Sequence, residues 1–242
     1  MFKPSLEEFK KLSESGNLIP VYKEILADLD TPVSAYMKIS DGEDYSFLLE
    51  SVEGGEKWAR YCFLGCDPAV VVSSKGRNIT IEEKGVRKEK KIESGNPLSA
   101  IKNILARYNP VRVPGLPRFS GGAVGFISYD MVRYFEDLPE KTEDDLNIPD
   151  SQFIITDTML VFDNVSQTIK MVSNAYIDSD NITAVYKETI KKITLLEDKL
   201  KTPLKVSTQK KEATPALKIN SNFEKEKFKA AVNNVKQYIL EG

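Results

Sequence analysis

The chain has 242 residues, 41% of them apolar and 29% charged, with 34 basic against 36 acidic side chains and a net charge of −2. That length allows one large domain or two small ones with a sizeable core, and the charge balance gives no electrostatic reason to expect nucleic acid or an anionic membrane as partner. Histidine is absent, which removes Ser–His–Asp and Cys–His catalysis and histidine-based zinc sites, so any chemistry rests on carboxylates, Lys, Tyr or Cys.

The N-terminus, MFKPSLEEFKK, has no apolar signal core. No apolar run approaches the roughly 18 residues of a membrane-spanning helix, and a cytoplasmic protein is expected. Ser5-Leu-Glu-Glu8 reads as a capping box opening a short helix that Gly16 ends. LIPVYKEIL (18–26) reads as a strand, and Asp30-Thr31-Pro32 as the start of a helix with Pro in its first turn. YSFLLES (45–51), ARYCFLGC (59–66) and AVVVSS (69–74) are strands by their aromatic and β-branched content. Cys62 and Cys66 lie four apart and so share a strand face; two cysteines are too few for a disulfide framework, and buried reduced thiols are expected.

NITIEEKG and VRKEKKIE predict a polar hairpin turning at Lys84-Gly85. Asn96-Pro97 then opens a helix with Leu98, Ile101, Leu105 and Tyr108 at helical spacing. A Pro- and Gly-containing connection leads to the strand AVGFISYD, an amphipathic MVRYFEDL and an acidic loop, EKTEDDLNIPD. Two more strands, FIITDTMLVFD and TIKMVSNAYI, flank the turn Asn164–Gln167, and a helix is expected over 182–201 with Val185, Ile193 and Leu196 on one side. TPLKVSTQKKEATPALK (202–218) reads as a polar linker. Ser221-Asn-Phe-Glu224 reads as a further capping box, before a helix with Phe228, Val232, Val235 and Ile239 in an apolar stripe. Short strands interleaved irregularly with helices, without βαβ regularity, indicate an α+β fold.

Three features invite functional readings that their context weakens. Ser120-Gly-Gly-Ala-Val-Gly125 lacks the Lys-Ser/Thr of a phosphate loop and the dinucleotide spacing, so its glycines are expected where backbones approach closely. The lysine-rich stretches 84–91 and 191–211 alternate with acids and lack aromatic stacking platforms, as a solvated face does. Glu136, Asp137, Glu143, Asp144 and Asp145 do not follow a calcium-loop pattern. The stretch Leu48-Leu49-Glu50-Ser51 with Arg60-Tyr61 leaves two readings open. A strand-end carboxylate, a hydroxyl and a neighbouring guanidinium can hold a zwitterion beside apolar side chains, or Arg60 and Glu50 form a cross-strand ion pair without a ligand.

FLLES (47–51), RYCFLGCDP (60–68) and GGAVGFISYDMVRYFEDLP (121–139), in this order, resemble the N-terminal part of anthranilate synthase component I. The similarity spans nearly the whole chain, and FKAAVNNVKQYILEG (228–242) resembles the helix that introduces that family's chorismate-binding half. Cys62 stands where the family's R-Y-S-F pattern more often has serine, a conservative core change. The resemblance implies mostly antiparallel sheets with flanking helices. It also implies a regulatory domain over 1–201, a linker over 202–220 and the first helix of a catalytic domain over 221–242. The intact protein is then expected to convert chorismate and ammonia to anthranilate and pyruvate with Mg²⁺, taking ammonia from a glutamine amidotransferase subunit. Tryptophan is expected to inhibit it at the LLES motif, with Leu49, Glu50 and Ser51 as contacts and Arg60 as an addition. The catalytic residues, Mg²⁺ ligands and remaining tryptophan contacts of the family lie beyond Gly242, so this truncated chain is expected to be inactive alone. Rival readings are aminodeoxychorismate synthase component I, separated by its product, and a stand-alone amino-acid-binding module.

Overall fold

In the computed structural model of the chain, which describes residues 1–50, 60–139, 143–204 and 220–242, the apolar alternation resolves into two antiparallel sheets. Contacts divide the chain into two compact units, Met1–Lys205 and Val206–Gly242. Within the first, a six-stranded sheet runs in spatial order β1 (Phe2–Lys3), β2 (Leu18–Leu26), β11 (Thr168–Tyr176), β10 (Thr158–Asp163), β4 (Tyr61–Cys66) and β3 (Ser46–Leu49). The second sheet runs β7 (Val86–Lys91), β6 (Asn78–Glu83), β5 (Val70–Lys75), β9 (Ser151–Thr156) and β8 (Gly122–Ile127). The α+β expectation holds.

The six-stranded sheet is buried on both faces. Helices α1 (Leu6–Leu12), α2 (Pro32–Ile39) and α4 (Ile182–Lys201) cover one face, burying Phe9, Ile39, Ile193 and Leu196 against Leu64, Leu160, Phe162 and Met171. The other face meets the second sheet, and Phe47, Met159, Val161 and Val172 pack there with Val71 and Ile154. Helix α3 (Leu98–Leu105) closes the far side of the second sheet through Ile101 and Ile104. Each alternate residue of β10 thus serves a different core, which is why all six of its residues are buried.

Local signals place the helices. Ser5 and Glu8 form a reciprocal capping box at α1, and Thr31 with Ser34 forms one at α2, with Pro32 in its first turn. Helix α4 spans the expected residues, with Asn181 Oδ1 accepting from Ala184 N at 3.1 Å. Its buried face is Tyr186, Thr189, Ile193, Leu196 and Leu200, and Val185 lies at the margin. The polar hairpin forms as read, and every residue of β7 is exposed; that charged edge discourages pairing with another chain.

Four expectations are corrected. FIITDTMLVFD is two strands in two sheets, because the chain changes partners at Asp157: β9 pairs with β5 and β8, and β10 pairs with β11 and β4. In α3 it is Ile104 that faces the core with Ile101, while Leu105 turns outward. MVRYFEDL forms a short 3-10 helix over Tyr129–Tyr134 with only Met131 buried. In the second unit, α5 (Lys225–Glu241) starts after Glu224, and Ser221 closes a local turn with Phe223 instead of capping it. The expected linker at 202–218 lies mostly outside the described residues.

Ile193 is fully buried between α4 and the six-stranded sheet, whereas Leu195 is mostly exposed. Ile193→Ala is expected to cost about 2–5 kcal/mol in urea-induced unfolding through lost transfer energy and a cavity, and Leu195→Ala no more than about 0.5 kcal/mol.

Candidate functional site

Strand β3 lies at the edge of the six-stranded sheet, and pleating sets its side chains alternately on the two faces. Leu48 packs with the helix-covered core, while Phe47 points into the layer between the sheets. Leu49 follows Phe47 onto that inter-sheet face at the strand end, where it is 45% exposed. The register sets Phe47 opposite Gly65, Leu48 opposite Leu64 and Leu49 opposite Phe63. Gly65 is required there: a Cβ would come within 2.3 Å of the Phe47 ring.

Beside Leu49 the inter-sheet face is aromatic. The Phe63 ring meets Phe119 edge-on at 5.1 Å and lies 6.1 Å from Tyr61. All three rings are only partly buried, so Leu49, Phe63, Tyr61 and Phe119 form a half-exposed apolar surface at the end of the sandwich. Arg60 folds over this surface, with its guanidinium carbon 4.9 Å from the Tyr61 ring centroid.

Arg60 is held by Asp163, the last residue of β10. Its Nε donates to Oδ1 at 3.0 Å and its Nη2 to Oδ2 at 2.7 Å, a bidentate pair in which the Asp163 side chain is 3% exposed and that of Arg60 42%. Oδ1 of Asp163 also accepts from the backbone N–H groups of Val165 and Ser166 in the β10–β11 turn, at 3.1 and 3.3 Å. Asn164 N donates to Arg60 O at 2.8 Å, fixing the backbone of Arg60 as well. Burial alone would raise the Asp163 carboxyl; the Arg60 fork and the two turn N–H groups outweigh it and hold the group at about 2.

Leu49 and Arg60 therefore share one face, about three residues of β4 apart, which is roughly 10 Å. Glu50 follows the last paired residue of β3 and is exposed. Ser51 lies outside the described residues. The alternative Arg60–Glu50 cross-strand pair does not form; the guanidinium pairs with Asp163 instead. Sequence reading missed Asp163 and the rings of Phe63 and Phe119. Asp163 ends an apolar run just before a turn, where an aspartate ordinarily signals only the turn.

Both cysteines are buried, free thiols. Burial pushes the Cys66 thiol up to about 11, which keeps it protonated and unreactive. Gly121 lies against the Asn174 side chain, where a Cβ would clash with Nδ2 at 2.3 Å, and the glycine run enters β8 rather than a helix N-terminus. Of the loop acids, Asp144 pairs with Lys75. Among the described residues no group of three or more His, Cys, Asp or Glu side chains is placed to hold a metal ion, so these residues do not fit a Mg²⁺ site. No helix among them is long and apolar enough to cross a membrane. A separate cleft of about 840 Å³ opens elsewhere, lined by Tyr108, Asn174, Tyr176, Val185 and Lys192 among others; none of the expected site residues lines it.

The chorismate binding enzyme family model matches residues 44–242, and the chain belongs to that family. Within it, the chain is similar to anthranilate synthase component 1 of Acetivibrio thermocellus, 38% identical over 248 aligned positions that cover 100% of this chain and 49% of the relative. It is also similar to the probable anthranilate synthase component 1 of Schizosaccharomyces pombe, 35% identical over 99% of this chain and 46% of the relative. The chain thus spans about half the length of the curated relatives it matches. Among solved structures, anthranilate synthase component I of Streptococcus pneumoniae aligns with 74% of this chain and 37% of its own, at 23% identity and a TM-score of 0.46.

The depressed Asp163 carboxyl makes a signed prediction. Its stabilising contribution is fully present above about pH 4 and is lost as pH falls through about 2. The stability difference between the native chain and Asp163→Asn, measured by urea unfolding at pH 6 and pH 2, is expected to shrink by about 2 kcal/mol at the lower pH. An unchanged difference would remove the ion pair from the account.

Proposed function

We propose that this chain is the N-terminal, tryptophan-sensing part of an anthranilate synthase component I. The observation that carries the reading is the similarity of essentially the whole chain to relatives of that name, at 35–38% identity in the first two. In this reading the whole protein is a cytoplasmic enzyme. It converts chorismate and ammonia to anthranilate and pyruvate, with ammonia from a glutamine amidotransferase subunit and Mg²⁺ bound by residues outside this chain. Residues 1–201 are its regulatory domain, 202–220 a linker and 221–242 the first helix of its catalytic domain.

Tryptophan binds at the end of β3, with Leu49, Glu50 and Ser51 as contacts and Arg60 beside them. The half-exposed Leu49–Phe63–Phe119 surface supports this placement, since an indole buries apolar area there at little cost in order. Feedback inhibition follows as linkage: tryptophan favours whichever arrangement of the whole protein it binds more tightly, and inhibition equals that difference in affinity.

The 242-residue chain, given chorismate, ammonium and Mg²⁺, is expected to form no anthranilate but to bind L-tryptophan in calorimetry. Ser51→Leu, which removes a hydrogen-bonding group and adds bulk, is expected to weaken that binding by about tenfold or more. Turnover at the rate of a complete enzyme would contradict the division of labour, and unaltered tryptophan binding in the variant would contradict the site. In a protein of the relatives' full length, aminobenzoate with the amino group para to the carboxylate as the product of the pathway would assign the aminodeoxychorismate reaction instead.

A further inference from the structure

We propose that the cleft between helix α4, the end of β11 and the residues that follow α3 is a second ligand site, which takes a protonated amine on an aromatic stem. The proposal stands apart from the tryptophan-site reading, since none of that site's residues lines this cleft.

At about 840 Å³ the cleft has the size of a small-molecule site. Pleating sets Asn174 and Tyr176 on the same face of β11 as Val172, toward the layer between the sheets. The Tyr176 ring meets that of Tyr108 edge-on at 5.1 Å, and the two line the cleft together with Leu18, Pro110 and Val185. Deeper in, Asn174 is only 7% exposed. Its Nδ2 donates to Ser120 O at 2.8 Å, which fixes the orientation of the amide. Its Oδ1 receives no hydrogen bond from any described residue, so the cleft holds an acceptor that only a ligand or water can satisfy.

The charges point the same way. Glu83, Asp157, Asp178 and Glu188 line the cleft against the ammonium groups of Lys84 and Lys192. Lys192 is taken by Asp157 at 2.6 Å, and Glu83 pairs with Arg107 at 3.4 Å. Asp178 and Glu188 have no ion-pair or hydrogen-bond partner among the described residues, while Lys84 stands in the exposed β6–β7 turn. The positive end of α4 offers little to an anion, because the N–H groups of Ile182, Ala184 and Val185 are already held by Asp180 and Asn181. A ligand therefore meets acceptors and aromatic faces. An ammonium suits both: it donates to Asn174 Oδ1, is drawn by the free carboxylates and is stabilised over a tyrosine ring. A ring on its stem packs against the tyrosine pair and the apolar wall.

The test is calorimetric titration of the native chain with three ligands that share one ring. Tyramine carries the amine, para-hydroxyphenylpropionate a carboxylate in its place, and para-ethylphenol neither. Tyramine is expected to bind about tenfold more tightly than the acid and about threefold more tightly than the phenol. Glu188→Gln, at an exposed position of α4, is expected to weaken tyramine by about twofold to fivefold and to change the phenol by less than about twofold. Asn174→Ala is expected to weaken tyramine about tenfold. Ala184 is exposed and lines the cleft, so Ala184→Trp fills it without disturbing the core and keeps the test decisive if Asn174→Ala folds poorly; it is expected to abolish tyramine binding. No binding of tyramine to the native chain, the acid or the phenol binding as tightly as the amine, or tyramine binding that survives Ala184→Trp would each overturn the proposal.

Discussion

Residues 151–163 pass from one sheet to the other through a single bend at Asp157, and the placement of the remaining elements follows from that passage. Up to Thr156 the chain pairs with β5 and β8; from Thr158 it pairs with β11 and β4. Asp157 pins the change. Its carbonyl accepts from Asn174 N at 2.6 Å and its carboxylate takes Lys192 of α4 at 2.6 Å, while Thr156 Oγ1 donates to Thr158 O at 2.7 Å. One continuous stretch thus ties both sheets to the covering helix. Sheets joined in this way cannot slide independently, because a one-residue slip in either would reverse which side chains reach the shared core.

The candidate site inherits its rigidity from the same stretch. Asp163 ends β10, on the face that carries Met159 and Val161, and its carboxylate reaches the residue that enters β4. Burying a carboxylate is costly unless it is paired and hydrogen-bonded. Here four donors meet it, two from Arg60 and two from the turn behind it. The arrangement joins strand ends far apart in sequence at the point where the aromatic surface opens to solvent. In the proposed reading, a ligand there would contact edge strand β3 and the start of β4, so a signal from it would reach the sandwich through paired strands.

Much of the fold was legible because it is written in local rules. Caps at Ser5 and Thr31 and the alternation of LIPVYKEIL each depend on a few neighbours. What escaped depends on tertiary partners. FIITDTMLVFD is apolar or β-branched on both sides of Asp157 because both strands it forms are largely buried, and the Thr-Asp-Thr at 156–158 that marks the crossing reads as easily as strand residues on a wet face. Helix α3 was misphased because Leu105 and Ile104 are equally apolar and only the second sheet decides between them. Ser221 and Glu224 have the spacing of a capping box, yet spacing does not choose between a cap and a turn. At the site, LLES and Arg60 were visible as a motif, while Asp163 was hidden by 103 residues of separation from its partner.

The central claim is that an aromatic amino acid lies between Leu49 and Arg60 on the inter-sheet face. Intermolecular nuclear Overhauser effects between L-tryptophan and the chain, selectively labelled at leucine and valine methyls and aromatic rings, test it most directly. The account predicts contacts from the indole protons to the Leu49 methyls and to the rings of Phe63 and Phe119. Contacts instead to Val185 and Tyr108, which line the separate cleft, or none at Leu49 under saturating tryptophan, would contradict it.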